Sequence, residues 1–348
     1  MKKLFLYALT AVFMLNLFAA CSDDDDDDNK PQKEAWEELS KTYGKSELSL
    51  TLNAGMLVSY DDRAIVVDAT SATAATFTLK NMLPEGKEIT MPVSLTQKGN
   101  SFDVAGSTTV NGSEVAVTGT MDKDKAVLGF TRKLSKDLAN SLKLDFISTE
   151  YLPMPIANIY AKVSTGDAAQ DAEITQTVKM GLGALIGSKV SAVNVSLAEN
   201  GMFDASWIKL GETESINIKG ALAGIDPVMG AVLAQMLNIH YFAQEGNFYL
   251  MLDKGLLSMI PESMLGSLPI DLTTILAMLE DLGGYYGVPV NYMQSIADGS
   301  TTFYIEKDKF LQIMGLVGSM LEDVPEELQK ILAVASTAQQ FDFGLIFE

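Results

Sequence analysis

The sequence predicts a mainly β first half, built as an antiparallel barrel or sandwich, followed by an α+β second half. Three observations carry this. Apolar residues recur at every second position between about Ser46 and Ile147, the period of a strand with one buried face. After Tyr151-Leu-Pro-Met-Pro155 they recur at every third or fourth position, interrupted by short strand-like runs. Hydrophobic residues make up 47% of 348 and charged residues 20%, enough apolar material for a core in each half and too much for a disordered chain. The 45 acidic residues outweigh 25 basic ones, a net charge of −20, so nucleic acid is not an expected partner. With one Cys and one His, neither an internal disulfide nor an ordinary structural zinc site can be built. No metal or cofactor is expected.

The elements follow in order. Lys2 and Lys3 precede an apolar run from Leu4 to Leu15 broken only by Tyr7 and Thr10, and Ala19-Ala20 stand directly before Cys21. These are the three parts of a signal peptide, residues 1–20, and the run is too short for a membrane span. Residues 21–42 read as a tether: Ser22, then six Asp from Asp23 to Asp28, then Asn29, Lys30 and Pro31. Contiguous Asp residues lack the alternating ligands and Gly of a calcium loop, and repel one another into an extended segment. Phe18-Ala19-Ala20-Cys21 resembles the bacterial lipobox, with Phe18 where Leu is usual. That resemblance implies lipid attachment at Cys21 and a membrane as partner, held by more than one acyl chain. Cys21-Ser22-Asp23-Asp24-Asp25-Asp26 resembles the surface-export signal of Bacteroidota-type lipoproteins. It implies that Ser22, Asp23, Asp24, Asp25 and Asp26 direct an outer-membrane lipoprotein to the cell surface.

Residues 43–150 are expected to form the first folded domain. Leu48, Leu50 and Leu52 alternate with polar neighbours, as do Phe77 and Leu79, then Ile89, Met91, Val93 and Leu95, then Leu142, Leu144 and Phe146. Asn111-Gly112 is a type I′ hairpin signal; Lys98-Gly99-Asn100 and Asp122 to Lys125 mark two further turns. Strands spaced this closely predict an antiparallel barrel or sandwich. Tyr43-Gly44-Lys45-Ser46-Glu47-Leu48-Ser49-Leu50 and the strands after it resemble the calycin-like, or lipocalin-like, domain of Bacteroidota surface lipoproteins, although the Gly-x-Trp of true lipocalins is absent.

Residues 151–348 are expected to be α+β. Ile174, Val178, Leu182 and Leu185 share a helical face. Asp226-Pro227 and Asp271 start two further helices, Phe310, Met314, Val317 and Leu321 form another stripe, and Pro325 opens the last. Strands are expected at Val193 to Leu197, Met202 to Ile208, Asn238 to Gln244, Phe248 to Leu252, Thr301 to Ile305 and Phe341 to Phe347. Ala198-Glu-Asn-Gly-Met-Phe203 echoes Ala243-Gln-Glu-Gly-Asn-Phe248 and, more loosely, Thr96 to Phe102. Three hairpins meeting the same demand for Gly explain this better than a duplicated unit.

Signatures of catalysis are missing. His240 sits in Asn-Ile-His-Tyr-Phe, a strand, where a packed histidine is the plainer account than a general base. No Gly-x-Ser-x-Gly elbow exists, and Ser206-Trp-Ile-Lys209 lacks the companion motifs of penicillin-recognising enzymes. Gly181-Leu-Gly-Ala-Leu-Ile-Gly187 lies on a helical stripe and fits close helix packing rather than a phosphate loop. Among 45 acidic residues, neighbours such as Asp61-Asp62 or Glu280-Asp281 arise by chance. No catalytic residue is assigned. Gly283-Gly-Tyr-Tyr-Gly-Val-Pro-Val-Asn-Tyr292 reads as a flexible turn, with Tyr285, Tyr286 and Tyr292 either a candidate ligand platform or folded back over the Leu/Met core. Phe203, Trp207, Tyr241, Phe242, Phe248 and Tyr249 are similarly sheet core or pocket lining. The expected function is that of a non-enzymatic, lipid-anchored surface binding or accessory protein, for a glycan or a small apolar ligand. The alternative is a structural lipoprotein that docks onto other envelope proteins.

Overall fold

The computed structural model describes residues 34–134, 138, 140–147, 154–225, 230, 237–244, 246–259, 276, 279–320 and 323–348. Cys21, Ser22 and Asp23 to Asp26 lie outside the described residues, as do the boundary expected at residue 150 and most of the helices expected after Asp226 and Asp271.

Nine strands make the first sheet: β1 (Thr42–Gly44), β2 (Leu48–Leu52), β3 (Gly55–Leu57), β4 (Ala64–Ser71), β5 (Ala74–Leu83), β6 (Gly86–Lys98), β7 (Ser101–Val110), β8 (Ser113–Met121) and β9 (Ala126–Lys133). Strands β4 to β9 form an antiparallel meander, and the order is β1-β4-β5-β6-β7-β8-β9-β2-β3. Neither a closed barrel nor a sandwich results; the ladder is open. Its ends are nonetheless joined by one piece of chain. Thr42 pairs with Val66 on one edge, and Leu48, six residues on, runs parallel to β9 beside Ala126, one strand in from the other. Alternation sends Leu50, Leu52, Ile65, Val67, Phe77, Leu79, Met91, Val93, Val117, Leu128 and Phe130 into one continuous core. The expected turns are present. Asn111 (φ 48°) and Gly112 (φ 79°) both take the left-handed conformation that a type I′ hairpin needs. The tether is shorter than expected at its inner end, because Leu39 is fully buried in this core and Trp36 packs against it. Their apolar side chains draw residues 36–41 onto the sheet.

The rest of the chain adds β10 (Ser141–Lys143), β11 (Phe146–Ile147), β12 (Ile156–Ala157), β13 (Ile159–Ser164), α1 (Ala168–Gly187), β14 (Val190–Leu197), β15 (Phe203–Lys209), β16 (Ser215–Asn217) and α2 (Ile218–Ile225). There follow β17 (His240–Gln244), β18 (Asn247–Asp253), α3 (Lys254–Ser258), β19 (Glu280–Asp281), β20 (Tyr285–Gln294), β21 (Thr301–Glu306), α4 (Lys307–Met320), α5 (Glu326–Thr337) and β22 (Gln340–Phe347). Strands β10-β14-β15-β16 form a four-stranded sheet and β13-β22-β21-β20-β18-β17 the body of a seven-stranded one, with β19 beside β20. Leu142, Leu144 and Phe146, expected with the first sheet, instead serve the second half. Ser141 to Lys143 pair with β14, Leu144 bridges to Phe347, and β11 pairs with β12.

One face of the large sheet carries two apolar cores along its length. Phe303, Leu345 and Phe347 meet the small sheet through Val195, Leu197 and Phe203. Farther along, Val163 and Phe341 meet Val178 and Leu182 of α1, Phe310 of α4 and Leu328 and Ile331 of α5. The helical stripe through Ile174, Val178, Leu182 and Leu185 thus faces the core as expected. Its glycines serve close packing: a Cβ on Gly183 or Gly187 would collide with the backbone of residues 155–157. The three echoed segments share glycine at positive φ, Gly99, Gly201 and Gly246, so one turn requirement met three times explains the echo. No described helix is long and apolar enough to cross a membrane.

Candidate functional site

The segment expected as an aromatic loop is strand β20, paired with β18 and β21. Tyr285 is 0% exposed, and its hydroxyl donates to the Met82 carbonyl at 3.0 Å. Burial, aided by the Asp253 carboxylate, pushes its phenol pKa far up. Tyr286 points to the opposite face, where the Lys254 ammonium lies 4.7 Å from its ring. Tyr292 packs against the core between the two second-half sheets. The three tyrosines therefore occupy three separate environments. Glycine produced the misleading turn signal, yet here it permits close approach: a Cβ on Gly284 would strike the Asn81 carbonyl. Pro289 is tolerated because β20 has only β18 as ladder partner at that position.

Two other arrangements stand out. The first is a buried polar seam. Arg63 just precedes β4, Glu85 lies in the β5–β6 turn and Arg132 near the end of β9, so all three sit at one mouth of the first sheet. Against that mouth the large sheet presents His240 and Phe242 of β17, Met251 and Asp253 of β18, and Tyr285 of β20, which alternation places on one face. Phe242, Met251 and Tyr285 join the first sheet's own core. Arg132 Nε donates to Glu85 Oε1 at 2.6 Å with both side chains fully buried, and its Nη2 donates to the Tyr241 carbonyl at 3.2 Å. Arg63 Nη1 lies 3.2 Å from Asp253 Oδ2 and also donates to the Val58 carbonyl. Its Nε donates to the Asn81 carbonyl at 2.9 Å. Burial pushes the Asp253 carboxyl up while Arg63 and the amides of Leu256 and Gly255 pull it back, with a net rise. His240 is 3% exposed, and burial followed by the Arg132 charge pushes its pKa down to about 3. It is a neutral, packed histidine, edge-on to Tyr285 at 6.3 Å. Among the described residues, Glu85 Oε2, Arg132 Nη1 and His240 Nδ1 are buried without hydrogen-bond partners. Gly201 covers the guanidinium so closely that a Cβ there would collide with it. The seam ties the first sheet to the large one through Arg63–Asp253 and Arg132–Tyr241; among the described residues no group of acidic, His or Cys side chains could hold a metal.

The second arrangement is a cavity of about 230 Å³ between the small and large sheets. Val195 and Phe203 line one wall; Phe248, Leu250, Val290, Phe303, Phe343 and Phe347 line the facing one, and almost no polar atom faces the space. Phe248, Phe303 and Phe347 form a tilted, edge-on chain along this wall, with centroids 4.9 and 5.8 Å apart. The cavity exceeds the ~150 Å³ apolar hole that takes benzene in an engineered protein. Phe203 and Phe248 are thus lining, whereas Tyr241 and Phe242 are core, each buried. Asp61, Asp62, Glu280 and Asp281 are exposed, and Ser206-Trp207-Ile208-Lys209 lies within strand β15.

Comparison of the chain with protein families, with curated proteins and with solved structures found no match.

Proposed function

We propose that this chain is a non-enzymatic, lipid-anchored cell-surface protein that binds a small apolar ligand, or the apolar part of a larger one, between its second-half sheets. The observation that carries the binding role is the Phe-lined cavity of about 230 Å³. An aromatic-walled space without polar groups gains by excluding water and gives no handle for bond-making chemistry. The N-terminal signals support the address: Phe18-Ala19-Ala20-Cys21 for lipidation and Ser22 to Asp26 for export to the surface. The calycin-like resemblance of residues 43–147 remains part of this proposal, with the ligand site lying outside that segment.

Decanol at about 100 times its Kd should stabilise the protein by ~2.7 kcal/mol, seen as a rise in Tm of several degrees. Val290→Phe, which fills the cavity, should abolish that rise while leaving the fold intact by circular dichroism. A wild-type Tm indifferent to decanol overturns the binding role. For the address, Cys21→Ala should leave unprocessed precursor or release the protein from the membrane fraction. Processed, membrane-bound mutant protein would remove the lipoprotein assignment.

A further inference from the structure

The face of the large sheet turned away from the Phe cavity carries an aromatic pair beside a buried carboxylate. Ile159, Leu345 and Phe303 pair across β13, β22 and β21 and face the small sheet. In the next row Tyr160, Gly344 and Tyr304 pair across the same strands, so alternation sends both tyrosines to the opposite side. The first sheet covers that side at β17, β18 and β20, through Phe242, Met251 and Tyr285, and leaves Tyr160 and Tyr304 partly exposed. Two strands separate their backbones by about 10 Å, yet their ring centroids are 5.4 Å apart with planes 56° to each other. The rings lean together over Gly344, where a Cβ would collide with Tyr304. One row further, Asp342 lies between Lys162 and Glu306. It is 6% exposed, and its Oδ2 accepts from Gln340 Nε2 at 2.8 Å. Its Oδ1 has no partner among the described residues and still reaches solvent. Burial raises the Asp342 pKa, against the Gln340 hydrogen bond and the Lys162 charge. Burial and then the Asp342 carboxylate raise that of Tyr160, so carboxylate and phenol are neighbours. A carboxylate this buried with an oxygen left free has lost hydration without a full set of replacements.

We infer that Tyr160, Tyr304 and Asp342 form a binding surface for a neutral oligosaccharide whose chain is curved. A pyranose ring has an apolar C–H face and a rim of hydroxyls that both donate and accept. The C–H faces stack on the tyrosine rings, whose faces carry the negative part of the aromatic quadrupole. A rim hydroxyl donates to Asp342 Oδ1, and Lys162 supplies a donor on the same row. The 5.4 Å between centroids is close to one sugar residue along a chain, and the 56° between planes follows sugars that turn from one to the next rather than lying in a flat ribbon. A cation is a poorer match, because the two rings are in contact and leave no gap to enclose it. This surface is separate from the Phe cavity, on the other side of the same strands, and goes beyond the apolar binding role.

The test is calorimetric titration of the intact protein with maltohexaose, a curved chain, and cellohexaose, a flat one. Maltohexaose should bind at least tenfold more tightly. Asp342→Asn and Tyr304→Ala should each weaken it about tenfold, the loss expected from one hydrogen bond to a charged group or one stacked ring. Tyr304→Phe, which keeps the ring, should bind as the wild type does. Should Tyr304→Ala fail to fold by circular dichroism, Asp342→Asn decides alone. Val290→Phe, on the opposite face, should leave maltohexaose affinity unchanged, so loss of decanol binding and loss of sugar binding are read separately. Absence of maltohexaose binding overturns the inference, as does an equal affinity for cellohexaose. Wild-type affinity in folded Asp342→Asn would remove the carboxylate from the site and overturn it too.

Discussion

Arg132→Met should destabilise the protein by about 3–5 kcal/mol, because it leaves the Glu85 carboxylate buried with no countercharge. Both side chains are fully buried, the ion pair is 2.6 Å long, and the same guanidinium holds the Tyr241 carbonyl. Glu85→Met should cost a comparable amount for the mirror-image reason, a stranded guanidinium. The informative variant is the double one. Replacing both partners by Met removes both desolvation costs, so its destabilisation should be well below the sum of the two single effects. Denaturant unfolding of the four proteins measures this cycle. Additive costs would show that Arg132 and Glu85 contribute separately, through packing rather than as a pair.

His240→Gln should flatten the acid side of the stability curve. The folded-state pKa of His240, about 3, lies below its free value of 6.5. Between those values the unfolded chain holds the extra proton, so stability is full above about pH 6.5 and falls as the pH drops toward 3. From pH 7 to pH 4 this single residue should cost the wild type about 3 kcal/mol, at ~1.4 kcal/mol per pH step. Asp253 acts in the opposite sense. Its raised pKa lets the folded form keep a proton above the ordinary carboxylate range, and this contribution is common to both proteins. The difference in unfolding free energy between pH 7 and pH 4 should therefore be smaller in the variant. Equal acid slopes would mean that His240 accepts its proton without unfolding.

Much of the architecture was legible in the sequence because it is written in local terms. Leu48, Leu50 and Leu52 announce a strand without any partner, Asn111-Gly112 announces its turn, and Ile174, Val178, Leu182 and Leu185 announce a helix face. Partners are not local. Nothing near Leu48 says that it runs parallel to β9, and nothing in Leu142 to Phe146 says that they leave the first sheet. The same limit hid both sites. The Phe cavity is assembled from six strands whose alternation looks like ordinary core. The seam did leave a trace, namely charge at positions that alternation assigns to the inside. Arg63 is in phase with Ile65 and Val67, Arg132 with Leu128 and Phe130, Asp253 with Met251, and His240 with Phe242. An inward-phased charge in an apolar alternation is a signal worth reading. The Tyr285 segment misled for the converse reason, since glycine marks close approach as often as it marks a turn.

The seam also bears on the order in which the molecule is assembled. Asn53 reaches the Asn200 carbonyl across 147 residues, Arg132 reaches Tyr241 across 109 and Arg63 reaches Asp253 across 190. Contacts between residues so distant along the chain form late, after the local hairpins of β4 to β9 have paid their smaller loop-closure entropies. Until the large sheet arrives, the mouth of the first sheet is rimmed by Arg63, Glu85 and Arg132. Charged side chains are well hydrated there, so a water-seeking rim surrounds the apolar surface that Phe242, Met251 and Tyr285 later close. For a chain that folds from its N-terminus onward, this rim guards against premature association, at the cost of desolvating those charges in the last step.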